Sequence, residues 1–328
     1  MTFFLAAVSF IAGIAIRNLS SNTDRFAVWL NGFVIWVALP AMILRSIPGV
    51  ELNASAWLPI VVPWCGFLAA YLFVYLFSPL FNWSSSERVA LGILVGLGNT
   101  AFLGIPLIQV LLGDGAIATA ILFDQLGSFL VLSICAITII AIHSQSLQLD
   151  NMNARNVDEH IIVASNSNVE KARAENKLWS IFKRIFSFPP FISLLASLTL
   201  PLDGLQRTIG PVLDILSLTI LPIALLVVGL HFRFAVDVRD FRAMIWLALI
   251  KLLVLPAMLF AVLMYIAMPV ANFAPVLLQL AMPPMITPAL LLIAAGIVPR
   301  LVATSLGYLT LLGCATVYAW SVLLAQFT

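Results

Sequence analysis

Gly98-Asn99-Thr100-Ala101-Phe102-Leu103-Gly104-Ile105-Pro106 lies inside an apolar stretch, residues 89–112, long enough to cross a bilayer. Two glycines and a proline interrupt the backbone ladder there, and open N–H and C=O groups are tolerated at membrane depth only beside protein or a water-lined cavity. The pattern predicts a membrane span broken near its centre. A second interrupted stretch, Met282-Pro283-Pro284-Met285-Ile286-Thr287-Pro288, occupies a comparable place in the other half of the chain. Paired breaks of this kind point to a solute site between two repeats.

Composition fixes the broad class independently. Of 328 residues, 62% are hydrophobic and only 9% charged, with a mean hydropathy of +1.12; the chain reads as an integral membrane protein in a lipid bilayer. Its formal net charge of +2 is accounted for by membrane orientation, so no nucleic-acid partner is expected. Cys65, Cys135 and Cys314 stand singly in apolar runs and offer no metal spacing; no cofactor is expected. The run Phe3 to Ile16 reads as a short first span, because a basic n-region and a small-residue cleavage site are both missing.

Apolar stretches fall at about 2–17, 29–46, 57–80, 89–112, 116–142, 181–200, 208–230, 241–267, 273–297 and 301–325. Their continuous hydrophobicity predicts helices rather than the alternating strands of a barrel. The expected fold is therefore an all-α polytopic membrane protein with ten transmembrane helices. Basic residues check the count. Arg17, Arg25, Arg88, Arg155, Lys171, Arg173, Lys177, Lys183, Arg184, Arg233, Arg239, Arg242 and Arg300 all fall in odd-numbered loops, whereas only Arg45 and Arg207 fall in even-numbered ones. Basic loops stay cytoplasmic, which places both termini outside.

Residues 143–180 form the long polar segment and are expected to be a cytoplasmic linker, with a short surface helix at Val169 to Lys177. Five spans precede it (1–142) and five follow it (181–328), so the second set enters the membrane inverted. Internal echoes fit a 5+5 inverted repeat: Leu39-Pro40-Ala41 recurs as Leu221-Pro222-Ile223, 182 residues later, and Asn99 and Pro284 are 185 residues apart.

Nucleophile-elbow, Walker-type and zinc-protease motifs are missing, so no enzyme is expected. Ionisable side chains inside spans carry a cost of a few kcal/mol or more. Asp124 in span 5, beside Gln125, and Lys251 in span 8 are thus candidates for ion coupling or charge tuning. The alternatives are an interior hydrogen bond for Asp124, and pairing with an acid or snorkelling for Lys251. Asp214 reads as interfacial. Trp29, Trp57, Trp83, Trp179 and Trp320 read as interfacial anchors, and Trp36, Trp64 and Trp246 as packing residues.

The Gly98 to Pro106 segment, with Leu122-Phe123-Asp124-Gln125-Leu126-Gly127, Leu221-Pro222-Ile223-Ala224-Leu225, Lys251-Leu252-Leu253-Val254-Leu255-Pro256 and Thr304 to Thr310, resembles the auxin efflux carrier family. The bacterial permease branch is the most similar, within a wider group containing bile-acid sodium symporters. The resemblance implies a scaffold of spans 1, 2, 6 and 7 and a mobile transport domain of spans 3–5 and 8–10. It also implies that broken helices 4 and 9 cross at the membrane midplane, with substrate bound beside the crossing, and that the protein is a homodimer. Plant relatives carry Asn-Pro-Asn at the crossing, whereas this chain has Asn99-Thr100 and a later Pro106, a departure that argues against auxin itself.

Half-helix N-termini at such a crossing suit a carboxylate. Asn99, Thr100 and Thr287 are the expected substrate-binding residues, and Gly98, Gly104, Pro106, Pro283, Pro284 and Pro288 the helix-break residues. The expected function is secondary active transport of a small organic anion, a carboxylate, by alternating access in a bacterial inner membrane. A proton gradient, a sodium gradient or the membrane potential would drive it. The alternatives are a sodium-coupled carrier of a bulkier amphipathic anion and a non-transporting membrane sensor.

Overall fold

The computed structural model describes residues 2–19, 23–48, 57–155, 179, 183, 185–231 and 238–327. The expected surface helix at Val169 to Lys177, most of the polar linker and His160 lie outside the described residues. In chain order the helices are α1 (Thr2–Leu19), α2 (23–46), α3 (Leu58–Phe81), α4 (Ser85–Gly96), α5 (100–112), α6 (114–155), α7 (Pro189–Thr199), α8 (Asp203–Leu218), α9 (Ile220–His231), α10 (238–265), α11 (Val270–Leu280), α12 (Ile286–Ala294) and α13 (Pro299–Leu324). The protein is an all-α polytopic membrane protein. Among the described residues, six helical stretches are long and apolar enough to cross a membrane: Arg25–Ser46, Leu58–Phe81, Asp114–Leu147, Gln206–Val227, Asp240–Tyr265 and Pro299–Leu324.

Local sequence explains where helices start, stop and deform. Ser84 begins α4 with a capping box, its Oγ accepting from Glu87 N at 3.2 Å while its own N–H donates to Glu87 Oε2 at 2.7 Å. Gly113, at φ +86°, turns the chain from α5 into α6 in a conformation that side chains rarely adopt. Three π-helical turns, Val34–Ala38, Thr100–Gly104 and Leu249–Val254, each end two residues before a proline, Pro40, Pro106 and Pro256. Proline cannot donate to the carbonyl four residues back, and a wider turn just before it lets the helix continue without a kink. One boundary differs from the sequence reading: α6 runs past the apolar run through His143 to Arg155, so the polar segment begins as helix. Ser86 Oγ and His143 Nε2, 3.0 Å apart, tie that extension to the start of α4.

The broken spans lie at the centre of the molecule. Ala90 to Gly96 of α4 and Phe273 to Leu280 of α11 are buried at every consecutive position, a pattern possible only for helices surrounded by protein on all faces. Outer helices instead expose apolar side chains, as a bilayer requires: Leu68 and Leu80 of α3 are 70% and 72% exposed. Trp36, expected to fill packing space, is 68% exposed on that same apolar exterior.

α1 packs along α9 through two glycines. A Cβ on Gly13 would strike the Leu226 carbonyl and come within 2.9 Å of Gly229 Cα, and one on Gly229 would strike the Phe10 carbonyl. The two backbones touch, the small-residue packing by which membrane helices associate. On α8, Asp214 accepts a hydrogen bond from Arg45 Nε of α2 at 2.7 Å, with both side chains about half exposed.

Candidate functional site

The two breaks meet as a short antiparallel pair of extended strands. Gly98 faces Pro284, Asn99 N donates to Pro283 O at 2.7 Å, and Met285 N donates to Leu97 O at 3.0 Å. Pro283 and Pro284 have no N–H, so the pairing uses the donors and acceptors that this sequence leaves available. Gly98 keeps the approach close: a Cβ would lie 3.2 Å from the Met282 carbonyl and 3.3 Å from Lys251 Nζ, tight enough that a neighbour would have to shift. At Asn99, φ −77° and ψ 66°, with Thr100 N donating to Gly98 O at 2.9 Å, make an inverse γ-turn that leads straight into α5. The Asn99 carbonyl then accepts from Gly104 N at 2.9 Å.

Polar side chains gather around this strand pair. Asn99 is fully buried, and neither Nδ2 nor Oδ1 has a hydrogen-bond partner among the described residues. Thr100 Oγ1 donates to Asp124 Oδ1 at 2.5 Å, and Gln125 Nε2 donates to Asp124 Oδ2 at 2.6 Å, so both oxygens of the buried carboxyl group are engaged. Gln279, near the end of α11, donates to the carbonyls of Thr100 at 3.3 Å and Ala120 at 3.2 Å, joining the openings of α5 and α6. Gly104 makes room for it, since a Cβ there would meet the Gln279 side-chain amide. Gln279 escaped the sequence reading. Its signal was available: an amide in an apolar run three residues before Met282-Pro283-Pro284.

Asp124 and Lys251 occupy matching settings. Each sits in a π-helical turn, Phe123–Ser128 and Leu249–Val254 respectively, and into each turn a tryptophan donates from another helix. Trp64 Nε1 of α3 reaches Leu126 O at 3.3 Å, and Trp320 Nε1 of α13 reaches Leu252 O at 2.9 Å. Leu252 lies four residues before Pro256, which has no N–H to give it, so the indole replaces the missing helical donor. Trp320, read as an interfacial anchor, is half-buried and also makes this hydrogen bond to another helix. Trp320→Phe keeps the ring and removes the donor; it should destabilise the protein by about 1–3 kcal/mol, the cost of an unpaired buried carbonyl. Thermal unfolding of the purified protein in detergent checks this, and an unchanged midpoint would show that the carbonyl finds another partner. Lys251 is only 1% exposed, with no carboxylate in ion-pairing range among the described residues. Among the described residues no acid pairs with it, and its burial does not fit snorkelling.

A cavity of about 250 Å³ opens beside the paired segments. Both broken spans line it, α5 through Ala101 and Phe102, and the second break through Met285 and Thr287. Ile35 and Leu39 of α2 close one side, and Asp124, Phe129, Leu132 and Ser133 of α6 another. Its walls are mostly apolar; the polar atoms come from Asp124, Thr287 and Ser133, whose Oγ is buried without a partner among the described residues. A more polar cavity of about 430 Å³, bounded by Arg45, Gln109, Asp114 and Asp214, opens elsewhere, at the ends of α2, α5 and α8.

The singled-out residues are thus distributed in three ways. Thr287 and Asp124 line the cavity. Thr100 touches Asp124, while Asn99 is buried in the strand pair two residues from Ala101. Gly98, Pro283 and Pro284 lie in the non-helical segments, whereas Gly104, Pro106 and Pro288 lie inside the helices that follow. Pro288 stands at the third residue of α12, where a missing N–H costs little. Lys251 faces Gly98 from α10 and does not line the cavity.

An all-helical membrane protein agrees with the relatives of this chain. It is 24% identical over 318 residues to a protein of Methanothermobacter thermautotrophicus described as an uncharacterized transporter, a match covering 96% of this chain and 94% of that protein. The family model described as membrane transport protein matches residues 2–321. That match spans both interrupted segments and the residues that line the cavity, and the chain belongs to the membrane transport protein family.

Proposed function

We propose that this chain is a secondary active transporter of a small organic anion, a carboxylate, working by alternating access, and that it stands with the auxin-efflux-carrier-related permeases of the inner membrane. The observation that carries the reading is the cavity lined from both broken spans. Helices α5 and α12 begin at its edge, and their first turns present N–H groups and partial positive charge to a carboxylate. Thr287, Ser133 and the unpaired amide of Asn99 supply the polar contacts, Thr100 holds Asp124 in place, and the apolar walls receive the body of the solute.

In this reading α4 with α5 and α11 with α12 are the two broken members of ten spans arranged as a 5+5 inverted repeat, crossing near the midplane. The shorter apolar helices Thr100–Leu112 and Val270–Leu280 are short because they are parts of broken spans. Residues 1–142 and 181–328 form the two repeats. The contact of α1 with α9, and of α2 with α7 and α8, supports a scaffold of spans 1, 2, 6 and 7. Spans 3–5 and 8–10 move against it, with both termini outside and the linker cytoplasmic. Asp124 and Lys251 are the charged groups of the coupling machinery.

Proteoliposomes containing the purified protein test the reading with radiolabelled malonate, other small dicarboxylates, indole-3-acetate and a bile acid, with pH, sodium and voltage set separately. Saturable uptake of at least one carboxylate, lost when Ser133 and Thr287 are both replaced by valine, is the expected result. Sodium-dependent uptake of the bile acid alone would favour a carrier of bulkier amphipathic anions. Saturable binding with no uptake in sealed vesicles would make the protein a sensor.

A further inference from the structure

Among the side chains that line the cavity, Asp124 alone is titratable. The rest are apolar or hydroxyl-bearing, and Lys251, the buried cation nearest the strand pair, faces Gly98 and lies outside the lining. Helix α3, the opening turn of α5 and helix α7 pack against the turn that carries Asp124. Their titratable groups face elsewhere: Cys65 and Tyr75 of α3 are exposed, and the Tyr71 hydroxyl donates to Val89 O at 3.5 Å. The α5 turn and α7 contain no titratable residue. A bound carboxylate therefore meets one charge of its own sign in an enclosed apolar space, with no cation in the wall to balance it. Two like charges in such a site cannot both be held, and neutralising Asp124 is the relief that the wall provides.

Resting on the transport reading above, we propose that Asp124 carries the coupling proton and that anion and proton cross together, one for one, in the same cavity. The carboxyl group is built for this. Thr100 Oγ1, which donates to ionised Asp124, can turn its lone pairs toward the protonated acid and accept from it, since a hydroxyl both donates and accepts. Gln125 keeps the second oxygen engaged in either state. Linkage then works in both directions: the proton tightens anion binding, and the anion tightens proton binding by the same factor. For a monocarboxylate, an empty carrier with ionised Asp124 and a loaded carrier with protonated Asp124 both hold a single negative charge in the cavity and differ little in electrostatic cost as the domain moves.

The test records tracer and protons in the same vesicles. Proteoliposomes loaded with the pH dye pyranine receive radiolabelled malonate or indole-3-acetate outside, with potassium and valinomycin clamping the voltage and choline replacing sodium. The expected result is internal acidification in step with tracer, one proton per anion in excess of that carried by the protein-free leak, and an apparent affinity that weakens by up to about tenfold per pH unit as the outside is made alkaline. Asp124→Asn, which keeps the size of the side chain, should flatten the pH profile of whatever anion movement it supports and abolish the acidification that accompanies it. Tracer uptake without acidification in the unmodified protein would overturn this proposal and leave the transport reading standing, and so would an Asp124→Asn variant with an unaltered pH profile. Absence of tracer movement with every anion would overturn both. The measurement on the unmodified protein decides the matter even where the variant fails to fold.

Discussion

Asn99→Ala is expected to lower carboxylate flux by about ten- to a hundred-fold while leaving thermal stability unchanged or slightly raised. The two halves of this expectation come from one observation. The Asn99 amide is fully buried with neither Nδ2 nor Oδ1 paired among the described residues, and removing a buried polar group that has no partner relieves a desolvation cost of about 1–3 kcal/mol. A residue retained for the fold would show the opposite sign. If the amide instead donates to a carboxylate during transport, the lost interaction is a hydrogen bond to a charged group, about 1.5–3 kcal/mol, which gives the stated loss of flux. Initial uptake rates per incorporated protein, measured beside unfolding midpoints, separate the two effects. Full flux with a lowered midpoint would make Asn99 a structural residue of the strand pair and remove it from the site.

The largest effect on folding is expected at the seam of α1 and α9. In Gly229→Val the new side chain meets the Phe10 carbonyl, Gly13 Cα at 3.0 Å and Ile14 N at 3.1 Å, all of them backbone that cannot rotate away. The helices must separate, and the close packing that holds them is lost along the seam. We expect the yield of monodisperse protein in mild detergent to fall several-fold, with any remaining protein unfolding at lower temperature. Gly32→Ala is the matched control, because a Cβ there meets nothing within 4 Å; it should be neutral or slightly stabilising. Equal behaviour of the two variants in size-exclusion profiles would show that α1 does not depend on close contact with α9.

Legibility in the sequence followed the kind of interaction involved. The apolar runs announce their helices because burying backbone polar groups in lipid leaves little choice, and Gly98 and Pro283-Pro284 announce the interruptions because those residues cannot sustain a ladder. The pairing of Gly98 with Pro284 joins residues far apart in the chain, and only the folded structure brings them to one place. The partners of Gln279 and Trp320 were illegible for a similar reason. An amide or indole within an apolar run carries no mark of which carbonyl it will meet, and the need for Trp320 arises from Pro256 on another helix. Trp36 shows the converse limit: an indole in mid-span fits a packed interior or the lipid face equally well in sequence, and here it faces outward. The Gly13 and Gly229 pair was equally silent, since each glycine alone sits in an ordinary apolar helix.

In the proposed transport a carboxylate binds beside the crossing and is carried through as the protein alternates between two sides. Counterflow tests it most directly. Vesicles are preloaded with an excess of an unlabelled transported anion, diluted, and given a trace of the labelled anion outside with no ion gradient and no voltage. An alternating-access carrier predicts a transient accumulation of label above equilibrium, which then decays. A smooth rise to equilibrium, with no overshoot at any preload, would mean a channel-like path and would contradict the account.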